Sequence, residues 1–470
     1  MAKVFMRRVL PSARSTLVAS ALGFMVVLLD VSVVNVALDD LRRAWGADVA
    51  ALQWVVNAYA LVFAALLLTA GALGDRLGAR RVFMAGFVVF TLASAACGLA
   101  TSLQMLVTAR LLQGLGAAML VPNSLTMLQR AFKDNQLRSR AVGWWGAAGG
   151  IALAAGPVLG GLLIAHFGWR SIFLVNLPLG AVGILLTLRF TEPHETTVVR
   201  SLDWPGQIAC VVALASFACA ISMAASLGWN HVLVAGGLLL SVGSVWCFIR
   251  IESRTRSPML PLDLFRISTF TVVSVTGLVV NFSYYGLIFV FSLFFQLQQG
   301  LSPQRAGLAF LPMTVVLVLV NVVAGRLLPR MGIRRLMVIG LVMAAVGYAL
   351  LMVSTIEGPY GLLAIPMLIA ASGIAITVPT MTNATLSSVP ASRTGIASGV
   401  LNSARQVGGM VGVAACGYLI RDTSPAAFMS GMHAALAIAA LLLCVAAWLN
   451  WTYLPQSADI TTGSCANADI

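Results

Sequence analysis

Long apolar runs alternate with short polar connections along the whole chain. Fourteen runs stand out, near 15–38, 53–74, 82–100, 103–129, 140–165, 170–190, 205–225, 231–250, 270–296, 305–326, 336–355, 360–384, 394–419 and 431–452. A bilayer core about 30 Å thick needs about 20 mostly apolar helical residues, so each run is long enough to cross one. An even number of spanners puts both termini on one side. The basic start "MAKVFMRRVL" resembles a signal peptide. The apolar stretch behind it is too long for a cleaved segment and reads as the first spanner.

The polar connections carry a repeat. Residues 71–81 read "GALGDRLGARR" and residues 325–335 read "GRLLPRMGIRR", matching at six positions with an offset of 254 residues. The first copy follows run two and the second follows run ten. The repeat therefore relates spanners 1–6 to spanners 9–14 and leaves 7 and 8 as an inserted pair. The expected organisation is an N-terminal six-helix bundle over 1–200, an inserted two-helix segment and linker over 201–268, and a C-terminal six-helix bundle with a short tail over 269–470. Parallel repeated halves mark a class of transporter that handles its substrate near the midplane, between the halves.

Composition makes the membrane reading firm. Hydrophobic residues are 60% of the chain and charged ones 9%, against about a quarter charged in soluble domains. The net charge of +14 is explained by topology. With a cytoplasmic N-terminus, 22 of the 29 Lys and Arg fall on the inner side and five on the outer, and Arg110 and Arg405 lie inside spanners. Positive charge accumulates on the cytoplasmic side of membrane proteins, so both termini are expected there, in a multi-pass protein of the cytoplasmic membrane with no nucleic-acid partner. Seven Cys without a CxxC pair and four scattered His suggest neither a disulfide framework nor a metal site. No catalytic cluster is present, which sets an intramembrane enzyme aside.

Of fifteen acids, Asp30 alone falls well inside a run. A charge at bilayer depth costs roughly 2.5–3.5 kcal/mol on insertion scales and normally faces a partner or a cavity. Burial favours the neutral carboxyl and a nearby cation the charged one, so an acid that feels both can exchange a proton as its surroundings change. Pairing that merely holds two helices together is the structural alternative. Asn281, Tyr284 and Tyr285 share one helical face by their spacing. Arg405 has Asn402 and Gln406 as neighbours but no acid in its half at membrane depth. It is satisfied either by carbonyls and amides or by an electron-rich or anionic substrate.

Four motifs in order resemble the major facilitator superfamily, and within it the fourteen-spanner drug:proton antiporters, including antibiotic exporters of the methylenomycin-resistance kind. They are "LDVSVVNVAL" (29–38), "GALGDRLGARR" (71–81), "ARLLQGLGAA" (109–118) and "GWWGAAGGIALAAGPVLGG" (143–161). Two positions depart from the family pattern, with Asp39 where Pro is usual and Ala152 where Gly is expected. The resemblance implies an all-α major facilitator fold of fourteen transmembrane helices in which helices 1 and 4 line the central cavity. Asp30 and Arg110 lie about 12 Å and about 10 Å from the outer ends of their helices, so an Asp30–Arg110 pairing is expected, with Gln113 on the same face as Arg110.

The resemblance further implies a cytoplasmic latch of Gly71, Asp75, Arg76, Gly78, Arg80 and Arg81, in which Asp75 caps or pairs with the opposite half. The repeat copy has Pro329 at that place. It also implies an antiporter seam of Gly143, Gly156, Pro157, Gly160 and Gly161, kinked at the proline. The substrate cavity is expected to be lined by Asn35, Asn57, Asn123, Asn281, Tyr284, Tyr285, Asn383, Asn402 and Arg405. Family members that export cations often carry an acid where this chain has Asn57, so neutral or monovalent substrates fit better than divalent cations. The expected activity is proton-coupled export of hydrophobic drugs or antibiotics by alternating access, with Asp30 as proton carrier, protons as the coupling ion, no cofactor, and a single chain as the functional unit. Proton-linked movement of a defined small metabolite, in the anionic case using Arg110 and Arg405, is the alternative.

Overall fold

The computed structural model describes residues 11–132, 134–190, 203–255, 258, 260–389 and 393–455. The basic residues Lys3, Arg7, Arg8, Lys133, Arg200 and Arg256 and the tail from 456 lie outside them. Among the described residues the fold is all-helical. The chain forms two compact units, Met1–Leu260 with Ser292–Phe310, and Pro261–Phe291 with Leu311–Ile470.

The first span of the first unit is built in three pieces: α1 (Pro11–Val33), a 3-10 turn (Val34–Ala37) and α2 (Leu38–Trp45). Then come α3 (Val49–Leu77), α4 (Ala79–Gly98), α5 (Leu103–Ala131), α6 (Asn135–Phe167), the single turn α7 (Ser171–Leu174) and α8 (Asn176–Phe190). Side-chain caps fix several helix starts, where unpaired amides need an acceptor. Asp48 accepts from the Ala51 amide at 2.8 Å, Ser102 from Met105 at 3.2 Å and Asp134 from Leu137 at 2.8 Å.

The inserted pair, α9 (Trp204–Leu227) and α10 (Val232–Glu252), belongs to this unit. It is tied to α3 by Gln207, which donates to the Ala65 carbonyl at 2.8 Å and accepts from the Thr69 hydroxyl.

In the second unit α11 (Ser268–Leu293) starts the set and continues as a π-helical turn, Phe294–Gln298. The turn and α12 (Pro303–Ala309) belong to the first unit, where α12 packs on α6. α13 (Leu311–Met331), α14 (Ile333–Leu351), α15 (Gly361–Ser387), α16 (Thr394–Leu419) and α17 (Pro425–Tyr453) complete the second unit.

The sequence repeat is a repeat of backbone geometry. Gly78 breaks α3 from α4 at φ 96°, and Gly332 breaks α13 from α14 at φ 76°. Each amide returns 3.0 Å to the carbonyl four residues back, Gly74 and Leu328. A side chain is disfavoured at such φ, which is why the loop motif keeps glycine there in both copies. The pairs α4 with α5 and α14 with α15 then pack alike. A Cβ on Gly116 would stand 2.6 Å from the Phe90 amide nitrogen, and one on Gly373 would stand 2.3 Å from that of Ala344. Phe90 and Ala344 are again 254 residues apart. Lipid is as apolar as leucine, so helices associate through close approach of this kind.

Twelve helices among the described residues are long and apolar enough to cross a membrane, and up to thirteen with the bent pair Arg140–Leu153 and Ala155–Phe167. The expected fourteen is therefore not reached on that measure, for two physical reasons. The run near 140–165 is bent by 42° close to Pro157, whose ring excludes the carbonyl four residues back. The run at 394–419 forms a 26-residue helix, but Asn402, Ser403, Arg405 and Gln406 make its middle polar.

These contacts predict a contrast between two glycines. Gly116→Ala drives a Cβ into backbone and should cost about 1–3 kcal/mol. Gly143, with nothing within 4 Å of its Cβ position, should accept Ala with little change. Thermal unfolding of the purified variants in detergent checks this, and equal melting temperatures for the two would refute the packing account.

Candidate functional site

Asp30 lies in the last turn of α1, just before the 3-10 turn. There the side chains of Ser32 and Asn35 bond back to the carbonyls of Leu29 and Val31, both at 3.0 Å. Back-bonding by short polar side chains competes with the helical ladder and accompanies bends. Asp30 is 0% exposed and Arg110, on α5, 1%, and the two form a direct ion pair.

A closed set of neutral groups surrounds the pair. The other Asp30 oxygen accepts from Gln113 Nε2 at 2.7 Å and from Asn176 Nδ2 at 3.1 Å. Both amides also donate to Ser94 Oγ, at 3.2 and 3.0 Å, and Ser94 donates to the Phe173 carbonyl at 2.8 Å. Arg110 Nε donates to the Val55 carbonyl at 3.0 Å and its NH1 to Gln113 Oε1 at 2.8 Å. The guanidinium lies 4.3 Å from the centre of the Tyr59 ring, a cation–π contact. Cys97, fully buried, sits 3.5 Å from Gln113 Oε1. The centre thus draws on α1, α3, α4, α5 and α8, with the single turn α7 supplying the Phe173 carbonyl. Among the described residues two further carboxylates are buried, but towards helix ends: Asp39 (2% exposed) with Arg42 and Arg43 as ion-pair partners, and Glu252 (3% exposed), which accepts from the Leu260 amide at 3.1 Å.

The structure brings Asp30, Arg110 and Gln113 together. The missed partners are Asn176, Ser94 and Tyr59. They are neutral residues in separate runs, and nothing in their spacing sets them apart.

In the loop motif, Arg80 donates to the Thr187 and Leu188 carbonyls at 3.3 and 2.9 Å, a cation at the C-terminal end of α8 where carbonyls lack helical partners. Asp75 lies 3.9 Å from Arg130 of its own unit. Arg76 is exposed and Arg81 is too. Gly71 leaves ordinary clearance from Pro122, whereas Gly74, not singled out beforehand, receives the Asn123 side chain. That amide bonds the Ala70 and Met119 carbonyls at 3.0 and 2.8 Å.

The seam helix α6 uses two faces. Gly156 and Gly160 meet Ser32 and Val33 of α1, while Pro157 and Gly161 meet α12 at Gly307 and Pro303. Gly143 touches nothing. Of the residues expected to line a cavity, Asn35, Asn57, Asn281, Tyr284 and Tyr285 are buried and Asn383 is exposed. Among the described residues both amide atoms of Asn57 lack a hydrogen-bond partner, as do Asn35 Oδ1 and the Tyr284 hydroxyl. Asn281 and Asn402 fold back onto the carbonyls of Gly277 and Ser398 at 2.9 and 3.0 Å. No group of three or more His, Cys, Asp or Glu that could hold a metal ion occurs among the described residues.

A bundle of membrane-length helices with a charge-balanced polar centre in its interior is the form of a multi-pass membrane transporter. Residues 20–413 match the Major Facilitator Superfamily, and the chain belongs to that superfamily. It is 37% identical over 418 residues to the Methylenomycin A resistance protein of Streptomyces coelicolor, covering 89% of this chain and 88% of that protein. It is 36% identical over 407 residues to the Multidrug resistance protein Stp of Mycobacterium tuberculosis, covering 86% and 75%. Among solved structures, a D-xylose-proton symporter aligns with a TM-score of 0.68 at 15% identity over 94% of this chain and 98% of that one, a likeness of fold alone. Membership makes the protein a transporter and not an enzyme.

Breaking a buried ion pair by removing one partner costs about 3–5 kcal/mol, because the other charge is left uncompensated. Asp30→Asn and Arg110→Gln should each destabilise on that scale, and the double variant should cost less than the sum of the two. Melting temperatures of the purified set give the coupling, and strict additivity would mean that the pair is energetically silent.

Proposed function

We propose that the protein is a proton-coupled antiporter that exports hydrophobic drugs or antibiotics across the cytoplasmic membrane by alternating access. The observation that carries this reading is the buried Asp30 centre. The carboxylate accepts from Arg110, Gln113 and Asn176 at once, so a proton taken up there removes the charge that holds these donors. Proton binding and a shift of α1 against α5 and α8 are then one event, which is the coupling an antiporter needs. The names of the relatives, a methylenomycin resistance protein and a multidrug resistance protein, support a small-molecule drug as cargo.

On this reading Asp30 carries the proton, Arg110 and Gln113 hold it in its ionised resting place, and no cofactor takes part. The loop motif with Asp75 steadies one state at the cytoplasmic face, and the glycine seam of α6 closes one side while the other opens. Both termini are cytoplasmic. Fourteen spanners in two six-helix bundles (1–200 and 269–470) with an inserted segment (201–268) follow if the bent α6 and α16 each cross the bilayer. A single chain suffices.

Dye or drug efflux in inverted vesicles under an imposed pH gradient tests the assignment. The Asp30→Asn/Arg110→Gln variant, which removes the carrier without stranding a charge, should lose gradient-driven transport at parental protein levels. Transport at the parental rate would overturn the role of Asp30.

A further inference from the structure

The polar centre of the first unit is charge-balanced, whereas the second unit holds a cation that is not. Arg405 lies in the middle of α16, and the α-helices of the second unit contain no Asp or Glu; Asp263, in the 3-10 turn before α11, pairs with Arg393. Among the described residues Arg405 enters no ion pair. Its Nε is buried without a hydrogen-bond partner, and NH1 reaches Asn402 Oδ1 only at 3.5 Å. A guanidinium offers five donors in a planar fork, and this one uses a single donor at the limit of bonding distance. The residue as a whole is half-buried.

The surroundings are built around this side chain. α16 is pressed against the α11 backbone, since a Cβ on Gly408 would stand 2.1 Å from the Leu278 carbonyl oxygen and one on Gly412 2.3 Å from that of Phe282. Gly277 of α11 leaves the room that the stem of Arg405 occupies, its absent Cβ lying 3.2 Å from Arg405 Cγ. Asn281 and Tyr285 follow Gly277 at one and two turns on the same face of α11, and the Tyr285 ring packs against Gly409 of α16. The rings of Tyr284 and Tyr285 stand edge to face, 5.4 Å apart. A cation at membrane depth normally meets a partner, and the fork of arginine matches the two oxygens of a carboxylate.

We propose that Arg405, with Asn402 and Tyr285, forms an oxyanion-binding site for the carboxylate, or an equivalent delocalised anion, of an apolar or aromatic organic acid. The export reading above is needed to call that acid a substrate, and the binding itself stands apart from proton coupling. The Asn402 amide orients the fork, the tyrosine rings pack on the apolar body, and Arg405 supplies the charge.

Three fluorescent probes with one ring system separate the possibilities: dansylglycine (a carboxylate), its methyl ester (neutral) and dansylcadaverine (a cation). Each is titrated into the full-length protein in detergent, with detergent alone as blank. The parent should bind dansylglycine at least about tenfold more tightly than the ester, the scale of one charge-assisted hydrogen bond. Arg405→Gln should bring dansylglycine binding down to the level of the ester in the same variant, and Arg405→Lys should keep part of the preference.

A parent that does not favour dansylglycine, or an Arg405→Gln protein that still does, overturns the assignment. If Arg405→Gln does not fold, the comparison of acid and ester on the parent decides alone. Carboxylate preference without gradient-driven transport would instead overturn the Asp30 coupling and leave this site standing. Gradient-driven export with no such preference would do the reverse.

Discussion

Arg110 cannot rest at the middle of a membrane bundle without a counter-charge, and that need organises the first unit. Removing a guanidinium from water is repaid only when its charge is matched and its donors are used. Here Asp30 matches the charge, Val55 and Gln113 accept two of the donors, and Tyr59 covers one face. Asn176 and Ser94 in turn satisfy what Asp30 and Gln113 leave open. Because these groups are spread over α1, α3, α4, α5 and α8, satisfying one cation ties five helices together. Oil-like packing alone gives no such precision, since lipid tails compete for every apolar contact.

Much of this was legible in the chain. Hydropathy gave the helices because a spanner must be long and apolar. The offset of 254 residues related the two connections, and the structure adds that Gly78 and Gly332 within them answer the same backbone requirement. Counting helical rise from the membrane edge brought Asp30 and Arg110 to a common depth. The residues that were not legible share a property. Asn176, Ser94 and Tyr59 act through their position in three dimensions, and neutral polar residues occur throughout transmembrane helices as ordinary packing. Gly74 escaped notice for a similar reason, because its role depends on Asn123, which lies far along the chain on another helix. The 3-10 turn after α1 and the π-helical turn after α11 were likewise hidden. Hydropathy reports how apolar a segment is and says nothing of its winding.

The two halves show how a duplicated backbone takes up unlike chemistry. The turn glycines and the close approaches at Phe90–Gly116 and Ala344–Gly373 recur, so the scaffold is shared. The side chains carried on it are not. Asp75 in one loop corresponds to Pro329 in the other, and the acid that balances Arg110 has no counterpart for Arg405. Backbone contacts between helices tolerate no atom added, whereas polar positions are free to change so long as their charge is met from somewhere.

Cys97 draws out one more property of the charge centre. Its thiol is wholly enclosed 3.5 Å from Gln113, on the helix that also carries Ser94. An alkylating reagent reaches that sulfur only when the packing around it opens. The molecule therefore contains a native chemical clock for its own breathing, read as the rate at which that one sulfur, resolved from the six other cysteines, is labelled.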